Sequence, residues 1–442
     1  MRAVVERHPW TLLLVLFPCL AAVPFLAPHF GVTLYGDEAG YFDLADNLAH
    51  GSFLTGRDDA IGGGQHYPNL WFGPGLPLVL VPFVAVDAPV SVVRLVGPLC
   101  LLLAALSFYA LLRLYVPPRT ALVGAGALGL YVPFYTTLEY VHSEPLAVLL
   151  VVLSMYGTAR YLRGGELRYL FVAGSALGWL ALTRVAYGLV VTALLLLALA
   201  WWALKRHSPA VRCVAVCGVA LAVCLPWLVY TYSVSGRPLN WGSSGGLSFY
   251  WMTSSYPGEY GSWLQAEEVF NDPRLEPHRT FFRSLEDRPL VDQNDALITE
   301  GFANIGDDPG GYARNVAANV SRMWFDCPHS FRQDRLTPLF FAVANGVVLS
   351  ALLVSGILLV RRFRLLPAEA VPFAAFAIVA FVMHAFLSAY PRMLFPLIPV
   401  IAWFCTLALS TWVRIVPAAS VMPTEPLRAL GRDHRRDRAH GI

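Results

Sequence analysis

The chain has 442 residues, 57% of them hydrophobic and only 14% charged, with a formal net charge of +3 and a mean hydropathy of +0.56. Soluble chains carry about 25% charged residues. This much apolar sequence, gathered in long repeated runs, excludes an ordinary soluble domain and defines a polytopic membrane protein.

The first apolar run, Trp10 to Phe30, follows Arg2 and Arg7. It is too long for a cleaved signal peptide, and no small-residue cleavage site follows it, so it is expected to span. Further spans are expected near 90–113, 119–137, 144–162, 167–183, 185–204, 211–232, 338–360, 368–388 and 392–413, ten in all. The stretch Arg168–Leu204 is too long for one span and is divided at Thr183–Arg184. The expected fold class is therefore an all-α polytopic bundle with juxtamembrane helices and one large loop. Residues 1–232 form an N-terminal bundle containing the loop 31–89, residues 233–337 form a helical loop domain, and 338–414 supply the last spans. Residues 415–442 are a basic tail holding Arg428, Arg432, Arg435, Arg436 and Arg438. Cys19, Cys100, Cys213, Cys217, Cys224 and Cys405 fall in apolar runs and Cys327 in a polar one, with no CxxC, so they are expected to be core residues rather than a disulfide framework.

Arginines cluster at one set of span ends, at Arg113 and Arg119, at Arg160, Arg163 and Arg168, at Arg206 and Arg212, and at Arg361, Arg362 and Arg364. The positive-inside rule makes that side cytoplasmic, with both termini inside and the two long loops outside. Most of the 29 acids then fall on the outer side, including Asp37, Glu38, Asp43, Asp46, Asp58, Asp59, Glu139 and Glu144. Acids contribute little to topology, so this asymmetry points to polar work at the outer face of a plasma (inner) membrane. ATP and sugar nucleotides are not available there as co-substrates.

Five stretches carry candidate chemistry. In "LYGDEAGYFDLADNLAHG" (34–51), Tyr41, Leu44, Ala45 and Leu48 have helical spacing and Gly51 is a stop. The segment is too short to span and should lie in the interface plane. Asp37 and Glu38 open it, either as a cap and first-turn acid or as a reactive carboxylate pair. In "HYPNLWFGPGLPLVLVPF" (66–83) a Gly-Pro-Gly turn leads into a short, partial or re-entrant helix, whose irregular backbone must be buried in protein or line a cavity. In "LEYVHSEPLAVLLVVL", Ser143 is an expected N-cap, with Glu144 and Pro145 in the first turn. Glu144 falls level with Asp37 and Glu38, with His142 beside it, so these acids are ordinary caps or one acidic site. Arg94, Arg184 and Arg392 lie at the outer boundary, where arginine is costly unless paired or functional. They either pair with the carboxylates or grip a phosphate. In "PWLVYTYSVSGRPLNWGSSGGLSFYW", a Ser/Gly turn is flanked by Trp241, Tyr250 and Trp251, as a sugar-stacking surface or an ordinary interfacial belt.

Within 233–337, Ala296, Ile298, Phe302, Ala303 and Ile305 mark one helix, "DPGG" breaks it, and a second runs from Tyr312 to Phe325. Asn319-Val320-Ser321 matches the glycosylation sequon. No metal-ligand cluster, Ser/His/Asp arrangement or nucleic-acid patch is visible.

Taken in order, "YGDEAGYFDLADNLAHG", "GPGLPLVLVPF", "HSEPLAVLLVVLSMY", "GWLALTR", "LPWLVYTYSVSGRP…SSGG" and "YPRMLFPLIP" resemble the motifs of the polyprenyl-phosphate-sugar-dependent membrane glycosyltransferases of the GT-C fold, among them the protein O-mannosyltransferases and the aminoarabinose transferase of lipid A. The resemblance runs from about residue 10 to 413. It implies transfer of a sugar from a polyprenyl phosphate to an acceptor hydroxyl at the outer face, with inversion. Asp37 is implied as general base, Glu38 as its neighbour, and Glu144 with His142 as the second acidic motif. Arg184, Arg392, Arg94 and His66 are implied in donor-phosphate binding, His66 or an arginine standing in for a lysine that some members carry before the second span. Trp71, Ser243, Ser244, Gly245 and Gly246 are the candidate substrate surface. The acceptor is a lipid, a glycan or a protein, and paired acids leave room for a divalent cation. The soluble C-terminal domain of some relatives is not expected after the last span. The competing readings are a transporter or flippase, or a non-catalytic binder, of lipid-linked sugars.

Overall fold

A computed structural model of the chain describes residues 8–26, 34, 36–51, 70–206, 208–286, 288–331, 336–361 and 366–410. Among them there is no strand. Numbering the α-helices of eight residues or more, α1 is Leu16–Leu26, α2 Asp37–Ala49, α3 Gly75–Val84, α4 Val96–Leu112, α5 Pro118–Gly129, α6 Glu144–Gly164, α7 Leu167–Thr183 and α8 Ala186–Lys205. Then follow α9 Ser208–Ser235, α10 Gly245–Thr253, α11 Leu290–Asp307, α12 Pro309–Phe325, α13 Leu336–Arg361, α14 Ala370–Ala385 and α15 Ile398–Ser410.

Among the described residues, seven helical segments are long and apolar enough to cross a membrane: Pro9–Leu26, Val90–Leu112, Glu144–Gly164, Ala186–Lys205, Pro209–Ser235, Leu336–Arg361 and Pro391–Ser410. Gly75–Val84, Leu167–Thr183 and Ala370–Ala385 are shorter apolar helices. The chain is thus an all-α, multi-pass membrane protein, in keeping with the expected fold class. The break expected at Thr183–Arg184 falls between α7 and α8. The expected span 119–137 is instead two pieces, α5 and a 3-10 turn Val132–Thr137. Pro133, which lacks an amide N–H, cannot continue the α-helix between them.

Apolar lipid gives helices no hydrophobic reason to pair, so close packing between small residues does the work. Gly174 and Gly178 on α7 form a GxxxG face against α9. A Cβ at Gly178 would lie 2.6 Å from the Ala220 carbonyl oxygen, and one at Gly174 would lie 2.5 Å from Val219 Cβ. On the α6 side, a Cβ at Gly157 would lie 2.6 Å from the Ala173 amide nitrogen. Helix α7 is therefore held between α6 and α9, which fixes where it ends at Thr183.

The segment from Gly245 to Phe331 folds over one end of the bundle around its own small core of Leu247, Tyr250, Trp251, Val269, Phe282 and Leu297. The expected helix break at "DPGG" is the start of α12. Asp308 caps it, accepting from the Gly311 amide at 2.8 Å, and Pro309 occupies the first position. The Asn319 sequon is not an acceptor for glycan. Asn319 is fully buried and its side-chain amide is engaged by backbone groups on both its nitrogen and its oxygen.

Candidate active site

Helix α2 starts after Gly36, whose φ of 57° is a left-handed conformation suited to glycine. Asp37 is the first helical residue and makes no side-chain capping bond, which corrects the expectation of a cap. Its carboxylate still faces the favourable end of the helix dipole, but its partner is distant in sequence. Asp37 Oδ2 accepts from Arg392 Nη1 at 2.8 Å. Ser143 precedes α6 and likewise makes no capping bond. Its hydroxyl accepts from Arg184 Nη1 at 3.2 Å.

Glu144 links the two arginines. Its Oε1 accepts from Arg184 Nη1 at 2.6 Å and lies 3.6 Å from Arg392 Nε. Asp37, Arg392, Glu144 and Arg184 thus form a charge-balanced chain drawn from α2, the start of the last span, α6, and the α7–α8 break. It is graded in exposure. The side chains of Asp37 and Arg392 are 34% and 33% exposed, whereas Glu144 is 2% and Arg184 11%. An incoming ligand meets Asp37 and Arg392 first.

Glu38 and Arg94 are brought together elsewhere. Arg94 donates from Nε to Glu38 Oε1 at 2.9 Å and from Nη2 to Oε2 at 2.8 Å, a fork-on-fork pair in which the two side chains are 2% and 0% exposed. The Val141 amide donates to the same Glu38 oxygen at 2.9 Å. This pair ties α2 to the second span and to the turn that leads into α6. It leaves neither residue open to a ligand.

Glycines place the site. The segment Leu70–Gly75 runs against the end of α7, and a Cβ at Gly73 would collide with the Leu182 carbonyl, one at Gly75 with Thr183. Trp179 Nε1 donates to the Gly75 carbonyl at 3.0 Å. Phe72 packs on Tyr41 of α2 with ring centroids 4.6 Å apart. The "WFGPG" turn therefore wedges between α2 and the residues that precede Arg184. Of the expected substrate surface, Ser243 donates from its amide to the Leu70 carbonyl at 3.0 Å, and Gly246 donates to Asn294 Oδ1 at 2.7 Å. Trp71 packs on the small second core with Leu247 and Tyr250. Ser244 and Gly245 begin α10. Ser243 thus ties the segment before α10 to the turn, and Gly246 ties α10 to α11. His66 lies outside the described residues.

Two tyrosines join the site without a sequence motif. Tyr41 is one helical turn beyond Asp37. Its hydroxyl meets Ser143, and burial, then Asp37 and Glu144, push its pKa up. Tyr187, one turn after Arg184, is fully buried. Their i, i+4 and i, i+3 spacing from the charged residues was the available signal. His142 is held below the ordinary imidazole value by burial, against the upward pull of Glu144, and is neutral at pH 7. Among the described residues, His142 Nδ1, Glu144 Oε2 and Tyr187 Oη are buried without a hydrogen-bond partner. Unpaired buried polar atoms are costly, and three of them gather around this one cluster.

Among the described residues, no three of His, Cys, Asp and Glu converge as metal ligands. Asp37, Glu38 and Glu144 each face a guanidinium, which opposes a divalent cation. The donor set among the described residues does not fit one.

Two solved structures share this fold. The archaeal oligosaccharyltransferase AglB from Archaeoglobus fulgidus, in complex with an inhibitory peptide and a dolichol-phosphate, is 16% identical with a TM-score of 0.53, over 92% of this chain and 50% of that one. The apo form of the Archaeoglobus fulgidus oligosaccharyltransferase is 15% identical with a TM-score of 0.52, over 90% and 50%. This chain thus spans about half their length. ArnT from Cupriavidus metallidurans bound to undecaprenyl phosphate aligns at 15% identity over 90% of this chain and 78% of that one, with a TM-score of 0.39. Residues 74–230 match the family of dolichyl-phosphate-mannose-protein mannosyltransferases. That stretch runs from the "GPG" turn through Glu144 and Arg184 to the end of "LPWLVY". No curated protein matches the chain.

Proposed function

We propose that the chain is a GT-C glycosyltransferase that moves a sugar from a polyprenyl-phosphate carrier to an acceptor hydroxyl at the outer face of the membrane. The observation that carries this reading is the graded chain Asp37–Arg392–Glu144–Arg184, with one carboxylate and one guanidinium at its open end. The match over residues 74–230 to a family named for a lipid-phosphate sugar donor supports the donor class.

In this reaction the acceptor oxygen attacks the anomeric carbon, its proton passes to Asp37, and the bond from that carbon to the phosphate oxygen breaks. The polyprenyl phosphate departs with the electron pair. The leaving group is already a phosphate, so no catalytic acid is required, and a single displacement inverts the anomeric centre. A positioned base supplies about 10²–10⁴-fold of the acceleration. Arg392, with Arg184 behind it, stabilises the charge that builds on the departing phosphate.

The ion pair of Asp37 with Arg392 supports a particular sequence of events. A phosphate draws Arg392 toward itself by offering a better-matched anion. Asp37 loses its partner and is free to take the acceptor proton when the donor is in place. Glu144 remains behind to hold both arginines. Glu38 and Arg94 serve as a clamp that fixes the start of α2, and His142 remains a neutral neighbour. The distribution of arginines supports an outer-face site with cytoplasmic termini.

The test is incubation of membranes holding the full chain with a panel of polyprenyl-phosphate sugars, with mass analysis of what gains a hexose or pentose. Asp37→Asn should abolish transfer while the protein remains folded and still binds polyprenyl phosphate. Transfer that persists in this variant overturns the assignment of Asp37.

A further inference from the structure

Helix α12 has an inverted pattern. Asn315, Asn319 and Arg322 recur at i, i+4 and i+7, on one face. That face is the buried one, with the three residues 6%, 0% and 0% exposed. A buried stripe of polar side chains is retained only when every member is paired. Here the partners are mostly backbone groups at the ends of α10 and α14 and in the irregular segments beside them.

Asn319 Nδ2 donates to the carbonyls of His384, Ala385 and Leu387 at 2.9, 3.1 and 2.7 Å. His384 and Ala385 close α14, where the last carbonyls lack i+4 helical donors, and Leu387 follows the helix. Asn319 Oδ1 accepts from the Ala389 amide at 2.9 Å and from Arg322 Nη2 at 2.9 Å. Arg322 donates from Nε to the Ala389 carbonyl at 3.0 Å, from Nη1 to the Tyr260 and Pro328 carbonyls at 3.2 and 2.8 Å, and from Nη2 to the Gly261 carbonyl at 2.9 Å. Its cation is satisfied by neutral oxygens alone, and burial lowers its pKa to about 10. Ala389 is thus gripped on both its N–H and its C=O. The next residue, Tyr390, stacks on His329 at 5.6 Å and donates its hydroxyl to the Trp263 carbonyl at 2.9 Å. Pro391 then fixes the backbone as the last span begins, and the residue after it is Arg392.

We infer that Asn319 and Arg322 are positioning residues for Arg392: α12 clasps the connection between α14 and the last span and so sets where the Arg392 guanidinium stands relative to Asp37 and Glu144. This rests on the reading of Arg392 as the donor-phosphate contact. It assigns to the outer helices a role in donor binding, although neither clasp residue belongs to the acid–arginine chain.

The test uses the full-length protein in detergent, with a polyprenyl phosphate lacking the sugar as the probe and a double-mutant cycle as the readout. Asn319→Ala should weaken binding of the probe by about tenfold and Arg392→Gln by at least as much, while Asn319→Ala/Arg392→Gln should be no weaker than Arg392→Gln alone. Amide hydrogen exchange over residues 386–391 should quicken in Asn319→Ala, since the Ala389 amide loses its acceptor. Arg322→Lys provides the same cycle where Asn319→Ala fails to accumulate. Additive effects, or unaltered probe binding in Asn319→Ala or Arg322→Lys, would overturn the positioning role and leave the reading of Arg392 intact. Unaltered probe binding in Arg392→Gln would instead overturn the phosphate contact itself, and the positioning role with it.

Discussion

Asp37 and Arg392 lie 355 positions apart in the chain and meet at 2.8 Å. The contact joins the first residue of α2 to the second residue of the last apolar span. If Arg392 is shared between Asp37 and the donor phosphate, neutralising Asp37 removes a competitor. Asp37→Asn is expected to lose transfer and yet to bind polyprenyl phosphate about tenfold more tightly. Binding isotherms with the sugar-free lipid phosphate check this. Weaker binding in the variant would mean that Asp37 helps to hold the donor.

Glu38 and Arg94 call for a different outcome. Breaking a buried, hydrogen-bonded pair by removing one partner costs about 3–5 kcal/mol, because the other charge is stranded. Glu38→Gln and Arg94→Met should each lower the thermal unfolding midpoint. The double variant Glu38→Leu/Arg94→Met should be less damaged than either single change. Thermal scans in detergent read this directly. A Glu38→Gln protein that keeps its stability but loses transfer would return Glu38 to the chemistry.

Gly73 offers a test of the wedge. A Cβ there collides with the Leu182 carbonyl, which is backbone and cannot rotate away. Gly73→Ala should destabilise by about 1–3 kcal/mol as the turn and the end of α7 move apart. It should also reduce transfer, since Arg184 directly follows that end. Gly126→Ala is the control, because its Cβ meets nothing within 4 Å. That change should be neutral or slightly stabilising.

His142 supplies a pH dependence. Its folded-state pKa lies below the model-peptide value of 6.5 because of burial. Above pH 6.5 the ring is neutral in folded and unfolded chains alike, and its contribution is unchanging. As the pH falls below 6.5 the unfolded chain takes up the proton first, so stability declines until the folded-state pKa is passed. The unfolding midpoint should therefore drop less between pH 6.5 and 5 in His142→Gln than in the unaltered chain. Parallel curves for the two proteins would show that burial of His142 is not the cause.

Much of the architecture was legible from local properties. Hydropathy located each long span, and a lone arginine in an apolar run marked the α7–α8 break at Thr183–Arg184. Helical periodicity marked α2. The acids and arginines of the site were also singled out, because charge beside hydrocarbon is conspicuous. Their partners were not legible. Arg94, Arg184 and Arg392 looked alike in sequence, yet Arg94 closes on Glu38, Arg184 on Glu144 and Arg392 on Asp37. Asn319 was misleading, since three residues matched a surface signal on what proved to be the buried face of α12.

The sequence by itself determined that the chain is helical and lies in a membrane. Those properties follow from the transfer energy of each segment, which adds up along the chain without reference to distant residues. Only the tertiary structure decided which carboxylate is open, which is sealed and which residues hold Arg392 in place. Ion pairs and hydrogen bonds act over a few ångströms, and the residues that make them come within that range only after α2, α6, α7, α12 and the last span have packed.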